Sequence, residues 1–120
     1  MASEVSAEIL ERLYEVVVAR RDERPEGSYV VQLLEGGWDA IGAKLREEAD
    51  EVIEAGKNEP DEHVANEAAD LIFHLWVGLA ARDVDPEAVF AELGRRFGIG
   101  GLEEKASRGA KGASSEKDED

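Results

Sequence analysis

From Glu67 to Ala81 the chain reads EAADLIFHLWVGLAA, apolar around most of a helical circumference yet carrying two acids and a histidine. At roughly 100° per residue with Glu67 as zero, Asp70 falls near 300° and His74 near 340°, with His63 of the preceding turn near 320°. Leu71, Ile72, Phe73, Leu75, Trp76 and Leu79 take most of the remaining circumference. A helix that is apolar nearly all round is buried, often between subunits, so this pattern predicts a narrow polar stripe buried with it. Ionised carboxylates out of water are costly unless paired or bound to metal. The stripe therefore needs a partner.

A second helix has the same peculiarity. With Ile41 as zero, Leu45 and Val52 fall within about 40° of it and define an apolar stripe, while Glu48 sits inside that stripe at about 340°. Lys44 and Glu51 lie on its shoulder, and Glu47 lies further round. Residues three apart are helix neighbours, so the pairs Glu48/Glu51 and Glu67/Asp70, if they face each other, put four carboxylates around one point. Few bases are near enough in sequence to neutralise them. A hard divalent cation with oxygen ligands is the natural partner, and Mg²⁺ is the one that usually works with substrate phosphates. The competing reading is a solvated acidic face like the rest of this protein. His74, one turn past Asp70, is expected to be a core histidine donating to the Asp70 carboxylate, and His63 to be exposed. Trp38 and Trp76 read as packing residues.

Helical periodicity dominates throughout, and no stretch alternates like a strand. A first helix is expected from a Ser6 cap to about Arg24, where Pro25 and Gly27 break it. Ser28–Glu35 is ambiguous between a short helix and an extended piece closed by Gly36-Gly37. The next helix is expected from Trp38 to Ala55, and the long one from an Asp61 cap to about Arg82. Asp85-Pro86 restarts the chain into a last helix ending near Phe97. The fold class expected is all-α, a small helical bundle of about four to five helices over residues 1–97. Residues 98–120, glycine-rich and charged, are expected to be a flexible tail.

The 120 residues carry a formal charge of −15, and the 98–120 tail accounts for only −2 of it. Duplex nucleic acid and anionic membranes are poor partners for such a body. Its 42% hydrophobic residues in periodic order argue against disorder, and its self-repulsion at low salt suggests a salt-loving source. With no cysteine, disulfides, thiolate metal sites and cysteine nucleophiles are excluded. MASEVSAEIL lacks the basic and apolar regions of a signal peptide, and the run from Ala68 to Ala81 is too short to span a bilayer, so a cytoplasmic location is expected.

An ordered set of blocks in this sequence carries a resemblance. Glu47-Glu48-Ala49-Asp50-Glu51 followed by Glu67-Ala68-Ala69-Asp70 resembles the EExxE…ExxD pattern of the all-α NTP pyrophosphatase (MazG-like) superfamily. SYVVQLL at Ser28–Leu34, Lys44 before Glu47, Lys57-Asn58, AADLIFHLWVGLA at Ala68–Ala80 and DPEAVFAELGRR at Asp85–Arg96 narrow it to the phosphoribosyl-ATP pyrophosphatase family. The resemblance implies Mg²⁺-dependent hydrolysis of 1-(5-phosphoribosyl)-ATP to 1-(5-phosphoribosyl)-AMP and pyrophosphate, the second step of histidine biosynthesis. It also implies pairing of subunits into a homodimer, which the apolar circumference of Leu71–Leu79 suggests independently. Carried over residue by residue, it makes Glu48, Glu51, Glu67 and Asp70 the metal ligands. Glu47 becomes a candidate for supporting them or orienting water, and Lys44 and Lys57 candidates for phosphate contacts. Gln32 stands where the family often has Lys. The substrate's second anionic end needs recognition away from the metal, for which Arg20, Arg21, Arg95 and Arg96, with Ser28 and Tyr29, are the candidates. Two alternatives stay open: a pyrophosphatase acting on another NTP, and a non-catalytic acidic helical dimer.

Overall fold

The computed structural model describes residues 6–98, so the tail expected to be flexible lies outside the described residues beyond Gly98. The described residues form four helices and no strand: α1 Glu8–Glu23, α2 Tyr29–Asn58, α3 Asp61–Ala81 and α4 Pro86–Phe97. This is the small all-α bundle that the periodicity predicts. The chain divides after Asp85 into two units, the first holding α1–α3 and the second α4. None of the described helices is long and apolar enough to cross a membrane.

Within the first unit, α2 and α3 pair along the longest seam and α1 closes against both. Val17 of α1, Val30, Leu33 and Ile41 of α2, and Val77 and Ala80 of α3 form the core, with Leu13, Leu45 and Phe73 packed against it. Trp76 ties α3 to α1 by donating its indole N–H to the Leu10 carbonyl at 2.8 Å. The exposed Trp38 ring lies over Gly78, where a Cβ would come within 2.7 Å of Trp38 Cη2. That close approach is what glycine permits here.

Most helix ends fall where the sequence puts them, but α1 starts at Glu8 with Ala7, not Ser6, at the cap position and no side-chain cap bond from it. There are three further differences. Ser28–Glu35 is not a separate piece closed by Gly36-Gly37 but the first arm of α2. Ser28 caps it in the extended conformation, its Oγ accepting the Val31 N–H at 3.3 Å. Gly37 then kinks the element at φ 68°, ψ −166°, and helix resumes at once. That backbone region is open essentially to glycine alone. Gly37→Ala is expected to cost about 1–3 kcal/mol, read as a lowered midpoint in thermal melts; an unchanged midpoint would show that the kink relaxes freely.

The other two differences concern the α2–α3 turn. α2 runs on past Gly56 to Asn58, because the Glu59 N–H still reaches the Ala55 carbonyl at 2.9 Å and Asn58 Nδ2 donates to Glu54 at 2.7 Å. Lys57 is therefore in the last helical turn rather than after it. Asp61 is the first residue of α3, not its cap. Pro60 holds that place in extended backbone, its carbonyl accepting from the N–H of His63 at 2.9 Å. Asp61 and Glu62 complement the positive helix end instead.

Candidate functional site

The two expected acid pairs do face each other where α2 crosses α3. One carboxylate oxygen each from Glu48, Glu67 and Asp70 lies within 4.8 Å of the others. Glu48 is the deepest of the three. It is only 6% exposed, as its place in the Ile41 stripe predicts. Its Oε1 is buried without a hydrogen-bond partner, and Glu67 Oε1 is in the same condition. A buried carboxylate oxygen with nothing to accept from is costly, and native structures rarely leave one without a ligand or ordered water to serve it.

Glu51 joins through Glu67. A hydrogen bond shared with Glu51, then burial, then the charges of Glu51, Asp70 and Glu48 all push the Glu67 carboxyl above the usual carboxylate range. Crowded carboxylates favour the protonated form, so Glu67 holds its proton to higher pH in the metal-free fold than in the unfolded chain. Between the ordinary value of 4.5 and the raised one, the folded protein binds more protons, so its stability falls as pH rises through that window. Glu67→Gln is expected to flatten the fall in melting temperature as pH rises above 4.5. A slope identical to that of the wild type would show that Glu67 is not its source.

The cluster is more open than a fully buried stripe. Asp70 and Glu51 are exposed and Glu67 is half-buried, because only α1 and α2 cover α3 within this unit and neither reaches its far side. For the same reason Ile72 and Leu75 are 37% and 40% exposed, although the pattern predicts burial all round. Glu47 stands at the rim, exposed. Lys44 Nζ lies 3.3 Å from Glu47 Oε1 and 3.7 Å from Glu48 Oε2.

His74 differs from the expected donor to the Asp70 carboxylate. It is 5% exposed, and its Nδ1 lies 2.8 Å from the backbone carbonyl of Asp70 rather than from the side chain. A carbonyl can only accept, so Nδ1 carries the proton of the neutral ring. Nε2 is then the acceptor for the Tyr29 hydroxyl, 2.8 Å away. Tyr29 also stacks on Phe73, with ring centroids 6.1 Å apart. The Tyr29 proton is thus committed to His74, leaving the phenol oxygen outward as an acceptor. No sequence signal pairs residues 45 positions apart, so this bond is legible only in the folded chain. His63 is exposed and meets Glu59 at 3.1 Å.

The arginines divide. Arg21 is held by structure: it donates to the Ala80 carbonyl at 2.8 Å near the C-terminus of α3 and pairs with Asp22 and Asp83. Arg20 and Lys57 are exposed and make no ion pair among the described residues. On α4, Arg95 and Arg96 both bond to Glu92, Arg96 at 2.9 Å. First Arg95 and then Arg96 hold the Glu92 carboxyl down to about 2. That pairing stabilises α4 above the ordinary carboxylate range and is lost as pH falls from 4.5 towards about 2, opposite in sign to Glu67 and in a separate window.

Residues 10–97 match the family described as phosphoribosyl-ATP pyrophosphohydrolase. The chain is similar to the phosphoribosyl-ATP pyrophosphatase of Rhodopirellula baltica, 53% identical over 106 residues that cover 85% of this chain and 88% of that protein. It is 48% identical to the phosphoribosyl-ATP pyrophosphatase of Trichlorobacter lovleyi, across 83% of this chain and 93% of that protein. A third relative is the histidine biosynthesis bifunctional protein HisIE of Helicobacter hepaticus, 46% identical, in which the match covers 83% of this chain but 43% of the larger protein. The match over residues 10–97 reaches all four described helices, both acid pairs among them, and by it this chain belongs to the phosphoribosyl-ATP pyrophosphohydrolase family.

Proposed function

We propose that this protein hydrolyses 1-(5-phosphoribosyl)-ATP to 1-(5-phosphoribosyl)-AMP and pyrophosphate, the second step of histidine biosynthesis, with Mg²⁺ held by Glu48, Glu51, Glu67 and Asp70. Family membership supports the substrate. The observation that carries the metal is the buried, unpartnered Glu48 Oε1 in a cluster whose oxygens lie within 4.8 Å of one another. All the donors are carboxylate oxygens, which suits a hard cation and no soft one. When bound, Mg²⁺ supplies Lewis acidity at phosphoryl oxygen and lowers the pKa of a ligated water.

The chain's own residues account for the rest. Water attacks the α-phosphorus, the bond to the oxygen bridging the α- and β-phosphates breaks, and pyrophosphate leaves. Glu47, exposed at the rim beside Glu48, is the residue proposed to orient that water and take its proton. Lys44 and Lys57 offset the charge of the leaving pyrophosphate, and Arg20, exposed in the last turn of α1, is free to meet the remote phosphoribosyl phosphate. Arg95 and Arg96 remain candidates for that task only if phosphate displaces Glu92. Tyr29 meets the ligand as an acceptor, suited to a sugar hydroxyl or an amine, and Ser28 sets the position of Tyr29 by capping its helix.

The active form is proposed to be a homodimer with the exposed side of α3 at its centre. The test is pyrophosphate release from phosphoribosyl-ATP and from ordinary NTPs, each with and without Mg²⁺. Metal-dependent release with phosphoribosyl-ATP strongly preferred is the expected result. Preference for another NTP would transfer the site to a different nucleotide, and no release from any would leave an acidic helical dimer.

A further inference from the structure

Among the described residues, Lys44 is the one base within ion-pair distance of any of the four cluster carboxylates. Its geometry is divided: the ammonium sits closer to exposed Glu47, at 3.3 Å, than to buried Glu48, at 3.7 Å. It touches only one of the two Glu48 oxygens, and the other remains without a partner. Lys44 donates a hydrogen bond to Glu47 and lies beside the Glu48 carboxylate, so it is held as a cation between two acids. With its side chain 31% exposed, it can leave Glu48 without leaving the surface.

We infer that Lys44 is a built-in counter-cation of the metal-free cluster, which competes with the incoming metal for Glu48 and, once displaced, stays on Glu47 to meet the phosphate that arrives with the metal. The inference rests on the proposed reading that the cluster takes Mg²⁺. Its physical basis is simple. Three crowded carboxylates with no cation nearby would repel one another, and a single ammonium at the edge of Glu48 relieves that repulsion. A divalent ion bound to the same carboxylate repels the ammonium, so the two occupants exclude each other. Holding Lys44 by a second, exposed acid keeps it from swinging into solvent when it is displaced. Its three rotatable donors then suit a phosphate arriving from several directions better than a planar arginine fork would.

The inference gives opposite signs for two ligands, which a merely structural lysine would not. Lys44→Met keeps the aliphatic stem and loses the charge, and Lys44→Gln is the second neutral variant. Both are expected to bind Mg²⁺ alone about three- to tenfold more tightly than the wild type by calorimetry, the Coulomb gain being discounted for the partly exposed site. Both are expected to bind inorganic pyrophosphate in saturating Mg²⁺ about tenfold more weakly. Lys44→Arg, with its charge retained, is expected to stay within about twofold of the wild type for the metal. Unchanged or weaker Mg²⁺ binding in the neutral variants would overturn the competition, and unchanged pyrophosphate binding would overturn the second role. A wild type that binds no Mg²⁺ refutes the proposed metal centre itself, and this inference with it; a wild type that binds Mg²⁺ while the neutral variants bind no tighter refutes only the role of Lys44.

Discussion

Glu48→Gln is expected to lose Mg²⁺-dependent pyrophosphate release by about a hundredfold or more, while its metal-free form melts no lower than the wild type. The two halves of that result have one cause. Glu48 is 6% exposed, one of its oxygens has no partner, and one lies within 4.8 Å of oxygens of Glu67 and Asp70. In the absence of metal its charge is a liability, relieved in part by Lys44 at 3.7 Å. An amide of the same shape removes the repulsion and keeps the packing against the α2 core stripe, so the fold has nothing to lose. With metal, the same amide is a poor ligand at the most enclosed position of the site. Steady-state assays with a magnesium titration, beside thermal melts with and without the ion, measure both halves. Full activity in both Glu48→Gln and Asp70→Asn would remove the proposed centre. A large loss of metal-free stability would mean that Glu48 serves the core and not the site.

Leu75→Glu is expected to turn a homodimer into folded monomers. Ile72 and Leu75 stand three residues apart on one face of α3 and are exposed within a single chain, with Leu79 half-buried one turn on. Apolar residues clustered on one face of the most hydrophobic helix are the ground for the proposed dimer surface. A charge placed in the centre of such an interface loses its water and has no partner, a cost that a small dimer cannot absorb. In the separated chain the same side chain turns to solvent, so dissociation and unfolding are distinguishable. Sedimentation velocity at micromolar concentration, with circular dichroism as the check on folding, reads the outcome. A monomeric wild type would end the proposal, and a dimer unaffected by the substitution would move the interface away from Leu75.

Much of this architecture is written locally. The 3.6-residue period over Leu10–Val17, Ile41–Val52 and Leu71–Leu79 is enough to require helices, and proline and glycine set most of their ends. Glu48 inside the Ile41 stripe could be read from spacing alone, since a helix converts residue number into direction, and its 6% exposure agrees. Other features are pairings between distant positions, and periodicity on one helix carries no information about the next. Gly37 kinks α2 instead of ending it because helix can resume after one residue in a glycine-only conformation. His74 gives its proton to a carbonyl and accepts from Tyr29 because the first arm of α2 folds back over α3. Arg21 spends its donors on Ala80, Asp22 and Asp83, while Arg20, its neighbour in sequence, points to solvent; adjacent helical residues diverge by about 100°. The sequence by itself determined which carboxylates lie in or beside the apolar stripes of α2 and α3. Only the packing of α2 across α3 decided that Glu48, Glu67 and Asp70 meet within 4.8 Å while Glu51 joins through Glu67, because that distance depends on how two helices cross and not on the order of residues along either.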